Sequence, residues 1–163
     1  MTLSEKQKNK MRRFIRGVMI IVAVFLLLIA LAIPIANNAV ALGVERELKR
    51  LPLPEETELV ESTSVAGKMV GSGNGMQYFG ALLLHSTLSL QELQEFYAVY
   101  QPNDYTCRVE PQIGTEIRPR GSSLMGNVAF HTDAGTNDYY VLYTWGDAPD
   151  WAQDWLNTDL RGH

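Results

Sequence analysis

The sequence predicts an α+β protein: one membrane-spanning helix, then a small domain with an antiparallel sheet in the order ββαβββ and a C-terminal helix. Three observations predict it. Residues 17–36 form a 20-residue run without a charged side chain. Residues 89–100 carry apolar side chains three and four apart behind a capping signal. Five short segments rich in Val, Leu, Tyr and Phe are set apart by Gly, Pro, Asn and Asp. Such elements bury their apolar faces as a sheet of four or five strands with helices on one face.

The apolar run comes first. At about 1.5 Å per residue it spans about 30 Å, the thickness of a bilayer's hydrocarbon core. A helix suits it because the backbone polar groups are then satisfied internally. Lys6, Lys8, Lys10, Arg12, Arg13 and Arg16 precede it, which predicts a cytoplasmic N-terminus and an extracytoplasmic remainder. The rival is a cleaved signal peptide, with Ala39-Val40-Ala41 as the small-x-small site. Signal peptides have apolar cores of about 7–15 residues, shorter than this one. The expected organisation is a basic tail over 1–16, a transmembrane helix over 17–36, a juxtamembrane helix and Pro linker over 37–54, and a domain over 55–163. Pro52 and Pro54 end the juxtamembrane helix, since each proline also biases the residue before it away from helix.

The domain opens with a strand over 58–70, a glycine-rich turn over 71–75 and a strand over 76–85. The second strand is apolar almost throughout, which predicts a central strand covered on both faces. Ser89 and Glu92 form a capping box, and Leu90, Leu93, Phe96, Tyr97 and Tyr100 make the buried stripe of the helix behind it. Strands follow over 105–109, 124–132 and 138–145, with 111–123 read as an exposed loop or short edge element. Pro149 suits the first turn of a last helix, with Trp151, Trp155 and Leu156 facing the domain.

Charge is split. Residues 1–36 hold six Lys/Arg and one Glu, a formal +5, and the rest hold eight Lys/Arg and 17 Asp/Glu, −9. A domain this acidic repels nucleic acid. Cys107 is the one cysteine, so no intramolecular disulfide forms. For an extracytoplasmic domain that points to a Gram-positive bacterium, since small secreted domains elsewhere are usually disulfide-rich.

Cys107, His85 and Arg120 are the one catalytic set the sequence offers: a thiolate nucleophile, an imidazole base and a guanidinium for an oxyanion, suited to acyl transfer. Tyr105-Thr106-Cys107 followed by arginines resembles the Thr-Cys strand of a sortase. That resemblance covers a few residues; His85 stands closer to the cysteine than in a sortase, and the chain is short for that barrel. The bland reading of Cys107 is a small buried hydrophobe. His85, His131 and His163 with Asp133 lack metal-ligand spacing, and 71–75 lacks the Lys-Ser/Thr of a phosphate loop. Neither a metal nor a cofactor nor a small-molecule ligand is expected.

Trp145, Trp151 and Trp155, with Tyr139, Tyr140 and Tyr143, suit a core, a partner surface or a contact with lipid headgroups. Arg118 and Arg120 read first as part of a solvated loop, and otherwise suit a partner's carboxylate or phosphate. The expectation is a non-enzymatic anchored module that binds a protein partner or supports an envelope complex. The alternatives are the acyl-transfer enzyme and a sensor subunit of a membrane complex.

Overall fold

The computed structural model describes residues 5–67, 76–100, 106–120, 128–135 and 138–147. The chain divides into two compact units, Met1–Ile35 and Ala36–His163. Helix α1 (Glu5–Lys49) contains one stretch long and apolar enough to cross a membrane, none of it buried.

The rest is mixed α+β. Strands β1 (Thr57–Gly67) and β2 (Gln77–Ser86) are followed by helix α2 (Leu90–Tyr97). Strands β3 (Arg108–Pro111), β4 (Gly114–Glu116), β5 (Ala129–Ala134) and β6 (Tyr139–Asp147) complete the described elements. All strand pairs are antiparallel. The main sheet has the order β1-β2-β6-β3, and β4 pairs with β5 in a separate ribbon.

The ribbon corrects the expectation of one sheet with helices on one face. Along β2, Phe79, Ala81 and Leu83 pack with Val141 and Tyr143 of β6 against Ile117, Val128, Phe130 and Ala134 around the ribbon. Leu82 and Leu84 point the other way, into a second core with Leu48, Leu93, Tyr97, Cys107, Val109 and Leu142. Successive strand side chains alternate between faces, so a strand buried on both sides reads as an unbroken apolar run. The segment 111–123, expected to be an exposed loop or a short edge element, holds the short strand β4. Gln112 fixes this corner: it is buried, its Nε2 donates to Gly114 O at 3.1 Å and Glu116 O at 2.9 Å, and Gly114 takes φ +70°, where a glycine is favoured.

The helical elements follow their local chemistry. Ser89 and Glu92 form the capping box, with Ser89 N donating to Glu92 Oε2 at 2.8 Å. The helix ends three residues earlier than expected, where Tyr100 N bonds back to Tyr97 O at 3.1 Å in a tight turn. Asn37, Ala41, Val44, Glu45 and Leu48 are the buried residues of α1, at spacings of four, three, one and three. That is one helical stripe, and it lies on the β2 face that carries Tyr78, Gly80 and Leu82. Tyr78 donates its hydroxyl to Asn37 Oδ1 at 2.7 Å. Glu45 accepts from Ser62 Oγ at 2.6 Å and Ser64 Oγ at 2.8 Å and pairs with Lys49 at 2.7 Å. Burial pushes the Glu45 carboxyl up, and these three partners outweigh it and hold the group below the usual carboxylate range.

A second carboxylate joins β1 to the ribbon. The β1–β2 register shifts between Leu59 and Glu61. An irregularity of this kind re-aims the side chains beyond it. Glu61 accepts from the backbone N–H of His131 at 2.8 Å and of Thr132 at 2.9 Å, and its Oε1 lies 2.8 Å from His131 Nδ1. Burial raises its carboxyl, but these bonds win and lower it to about 2. A group lowered on folding binds its proton more weakly when folded. Its contribution is therefore full above the ordinary value of 4.5 and lost as pH falls toward 2. Glu61→Gln is expected to make the acid limb of a stability–pH curve shallower over that window. An unchanged limb in urea denaturation at stepped pH would contradict this role.

Candidate functional site

A groove of about 530 Å3 runs between α2 and the edge strand β3. Leu90, Gln94 and Tyr97 line its helix side, and Cys107, Arg108, Val109 and Glu110 its strand side, with Arg120 at its margin. Two features blunt this sheet edge. Gln94 Nε2 donates to Val109 O at 2.9 Å, so the outward carbonyl is already occupied. Pro111 ends the strand and has no N–H to offer. The edge is therefore poorly suited to adding another strand, and side chains are what the groove presents.

Those side chains are organised. The Arg108 guanidinium lies 5.1 Å from the Trp145 ring centroid, over its face. Trp145 stacks on Tyr143 with centroids 5.6 Å apart and planes 6° apart. Tyr143 is buried and donates to Glu110 Oε1 at 2.7 Å. Burial, then Glu110, push its hydroxyl pKa upward. Arg108, Trp145 and Tyr143 thus form a layered, pre-ordered cationic and aromatic edge beside the groove.

The alternative catalytic set, Cys107, His85 and Arg120, is only partly assembled. Cys107 and Arg120 both line the groove. His85 does not. It shares the β2 face of Phe79, Ala81 and Leu83, whereas Cys107 belongs to the core on the opposite face. Arg108, next to Cys107, pairs with Tyr143 of β6, and His85 pairs with Tyr139, four residues further along that strand. That alone is about 13 Å. Acyl transfer needs the thiol and imidazole within hydrogen-bond reach, and this arrangement does not supply it. His85 is occupied elsewhere, 3.3 Å from Glu58 Oε1 and against the Tyr139 ring at 5.0 Å.

Burial also pushes the Cys107 thiol up to about 11. Its thiolate fraction at neutral pH is then about a hundredfold below that of an ordinary thiol. Maleimide is expected to label Cys107 at least about a hundredfold more slowly in the native protein than in urea. Equal rates would restore a reactive thiol.

Of the partner-binding candidates, Arg120 and Trp145 fall on this edge. Arg118 is paired with Glu116, its Nε donating to Glu116 Oε2 at 3.0 Å, on an exposed stretch. Trp151, Trp155 and Leu156 lie outside the described residues, as do His163, the 71–75 turn and the expected C-terminal helix. Tyr140 and Tyr143 are core residues, and Tyr139 is half-buried. His131 sits with Glu61, and no group of three His, Cys, Asp or Glu among the described residues could hold a metal ion. Sequence reasoning missed Arg108, because its place beside Trp145 depends on the β3–β6 register.

Fold and groove together define a small α+β module following a helix able to cross a membrane. Comparison with known proteins returned no match: no family model, no curated protein and no solved structure is similar to this chain.

Proposed function

We propose that this chain is a single-pass membrane protein whose α+β domain lies outside the cytoplasm and binds a protein partner of the cell envelope without catalysing a reaction. One observation carries the reading. The helix that contains the apolar run also supplies Asn37, Ala41, Val44, Glu45 and Leu48 to the core of the domain. Cleavage after Ala41 would strip Asn37 and Ala41 from that core, so retention of the anchor goes with an intact domain. The basic residues before the run favour a cytoplasmic N-terminus. The lone, free Cys107 fits an envelope that makes few disulfides, as in Gram-positive bacteria.

The partner-binding edge is Arg108, Arg120 and Trp145, since ordered aromatic and Arg side chains are the usual anchors of an interface. It suits a partner presenting a carboxylate beside an apolar side chain. A photo-crosslinking residue in place of Arg120, in native membranes, is expected to capture one envelope protein. The same residue in place of Glu58, at the other end of the sheet, is expected to capture none. Equal capture at both positions, or none at Arg120, would count against the reading.

A further inference from the structure

The first turns of α1 carry a feature that membrane orientation alone leaves unused. Lys6, Lys8, Lys10, Arg12, Arg13 and Arg16 are helical and exposed. At 100° per residue, Lys6, Lys10 and Arg13 lie together and Lys8, Arg12 and Arg16 lie beside them, so the cations cover a little more than half of the helix circumference. Exposed Met11, Phe14 and Ile15 fill the remaining arc. The arrangement is self-repelling. Lys6 and Lys10, Lys8 and Arg12, and Arg12 and Arg16 are like charges four apart, which disfavours helix. Lys6 and Lys8 also lie in the first turn of α1, at the positive end of the helix dipole, where cations are unfavourable. The sequence supplies a single acid here, Glu5. Residues 1–16 thus carry a formal +5, and anions gathered beside them offset the like-charge cost to the helix.

The apolar run that begins at Gly17 says where those anions are. Arg12, Arg13 and Arg16 lie within about 8 Å of its start along the axis, the depth of a headgroup layer. Lys6, Lys8 and Lys10 extend about 9 Å further, roughly one Debye length into the surface potential of an anionic leaflet. Resting on the anchored reading above, we propose that this basic collar binds anionic phospholipid headgroups, and that the headgroups hold the first turns of α1 in helical form.

The test is amide hydrogen exchange on the full-length protein in nanodiscs of phosphatidylcholine alone, and with about one-third phosphatidylglycerol. Residues 20–33 serve as the internal control. Exchange over 6–13 is expected to slow at least about tenfold in the anionic discs, with 20–33 protected in both. The triple substitution Lys6→Gln, Lys8→Gln, Lys10→Gln is expected to erase most of the difference, and half-molar salt to weaken it. Equal exchange over 6–13 in the two lipids, with 20–33 protected, overturns the lipid collar and leaves the anchor standing. Rapid exchange over 20–33 in both overturns the anchor itself. Protection that appears only when an acidic peptide is added would assign the collar to a protein and overturn the lipid proposal.

Discussion

Gly80→Ala is expected to destabilise the domain by about 1–3 kcal/mol, the usual cost of forcing extra volume into a packed contact. A Cβ on Gly80 would lie 2.9 Å from Glu45 N, 3.1 Å from Glu45 Cα and 3.1 Å from Val44 Cγ1. Two of these are backbone atoms of α1, so no side-chain rotation relieves the clash. The helix cannot easily step away either. It is tied by the Tyr78–Asn37 bond before the contact and by Leu48 in the core after it. Glu45 would be drawn off Ser62 and Ser64 at the same time. Gly43→Ala makes the matched control. Nothing lies within 4 Å of a Cβ there, and the residue is helical. That change is expected to stabilise by up to about 1 kcal/mol through helix propensity. Thermal melts of the protein in detergent should move in opposite directions, by about 4–8 °C per kcal/mol for a domain of this size. Melts that move the same way would mean that α1 does not cross β2 at Gly80.

Leu48→Ala should have the larger effect, about 2–5 kcal/mol, as expected when a fully buried leucine is cut back to leave a cavity. Leu48 is fully buried and shares a core with Leu82 and Leu84 of β2 and Leu93 and Tyr97 of α2. It is the point at which both helices meet the sheet. Leu42→Ala, on the exposed side of α1, should cost only a few tenths of a kcal/mol. Urea denaturation separates the two. Equal, small effects would mean that residues 37–49 act as a connection and not as part of the core.

How much of this the sequence revealed depended on how local each signal was. The Ser89–Glu92 box and the stripe behind it are complete within about twelve residues, and they were readable. The unbroken apolar run of β2 foretold burial on both faces. What covered the second face was not readable, because β4 is three residues long and its partner β5 begins about a dozen residues later. A strand that short has no periodicity to detect. The docking face of α1 was hidden for a different reason. Two of its five buried residues, Asn37 and Glu45, are polar, and they are tolerable only because Tyr78, Ser62, Ser64 and Lys49 meet them. Lys49 stands four residues from Glu45 and is readable as its partner, but nothing near them in the sequence announces Tyr78, Ser62 or Ser64. The groove was half readable. Cys107 and Arg120 could be grouped by residue type, but the faces on which Cys107 and His85 fall follow from the strand register.

On the anchored reading proposed above, the apolar run stays attached to a domain whose core begins within α1. Mass-spectrometric determination of the N-terminus of the protein isolated from its native membrane fraction tests it most directly. A start at Met1 or Thr2 is the predicted result. A start at Leu42, after the Ala39-Val40-Ala41 site, would contradict it, because a stable domain would then exist without Asn37 and Ala41.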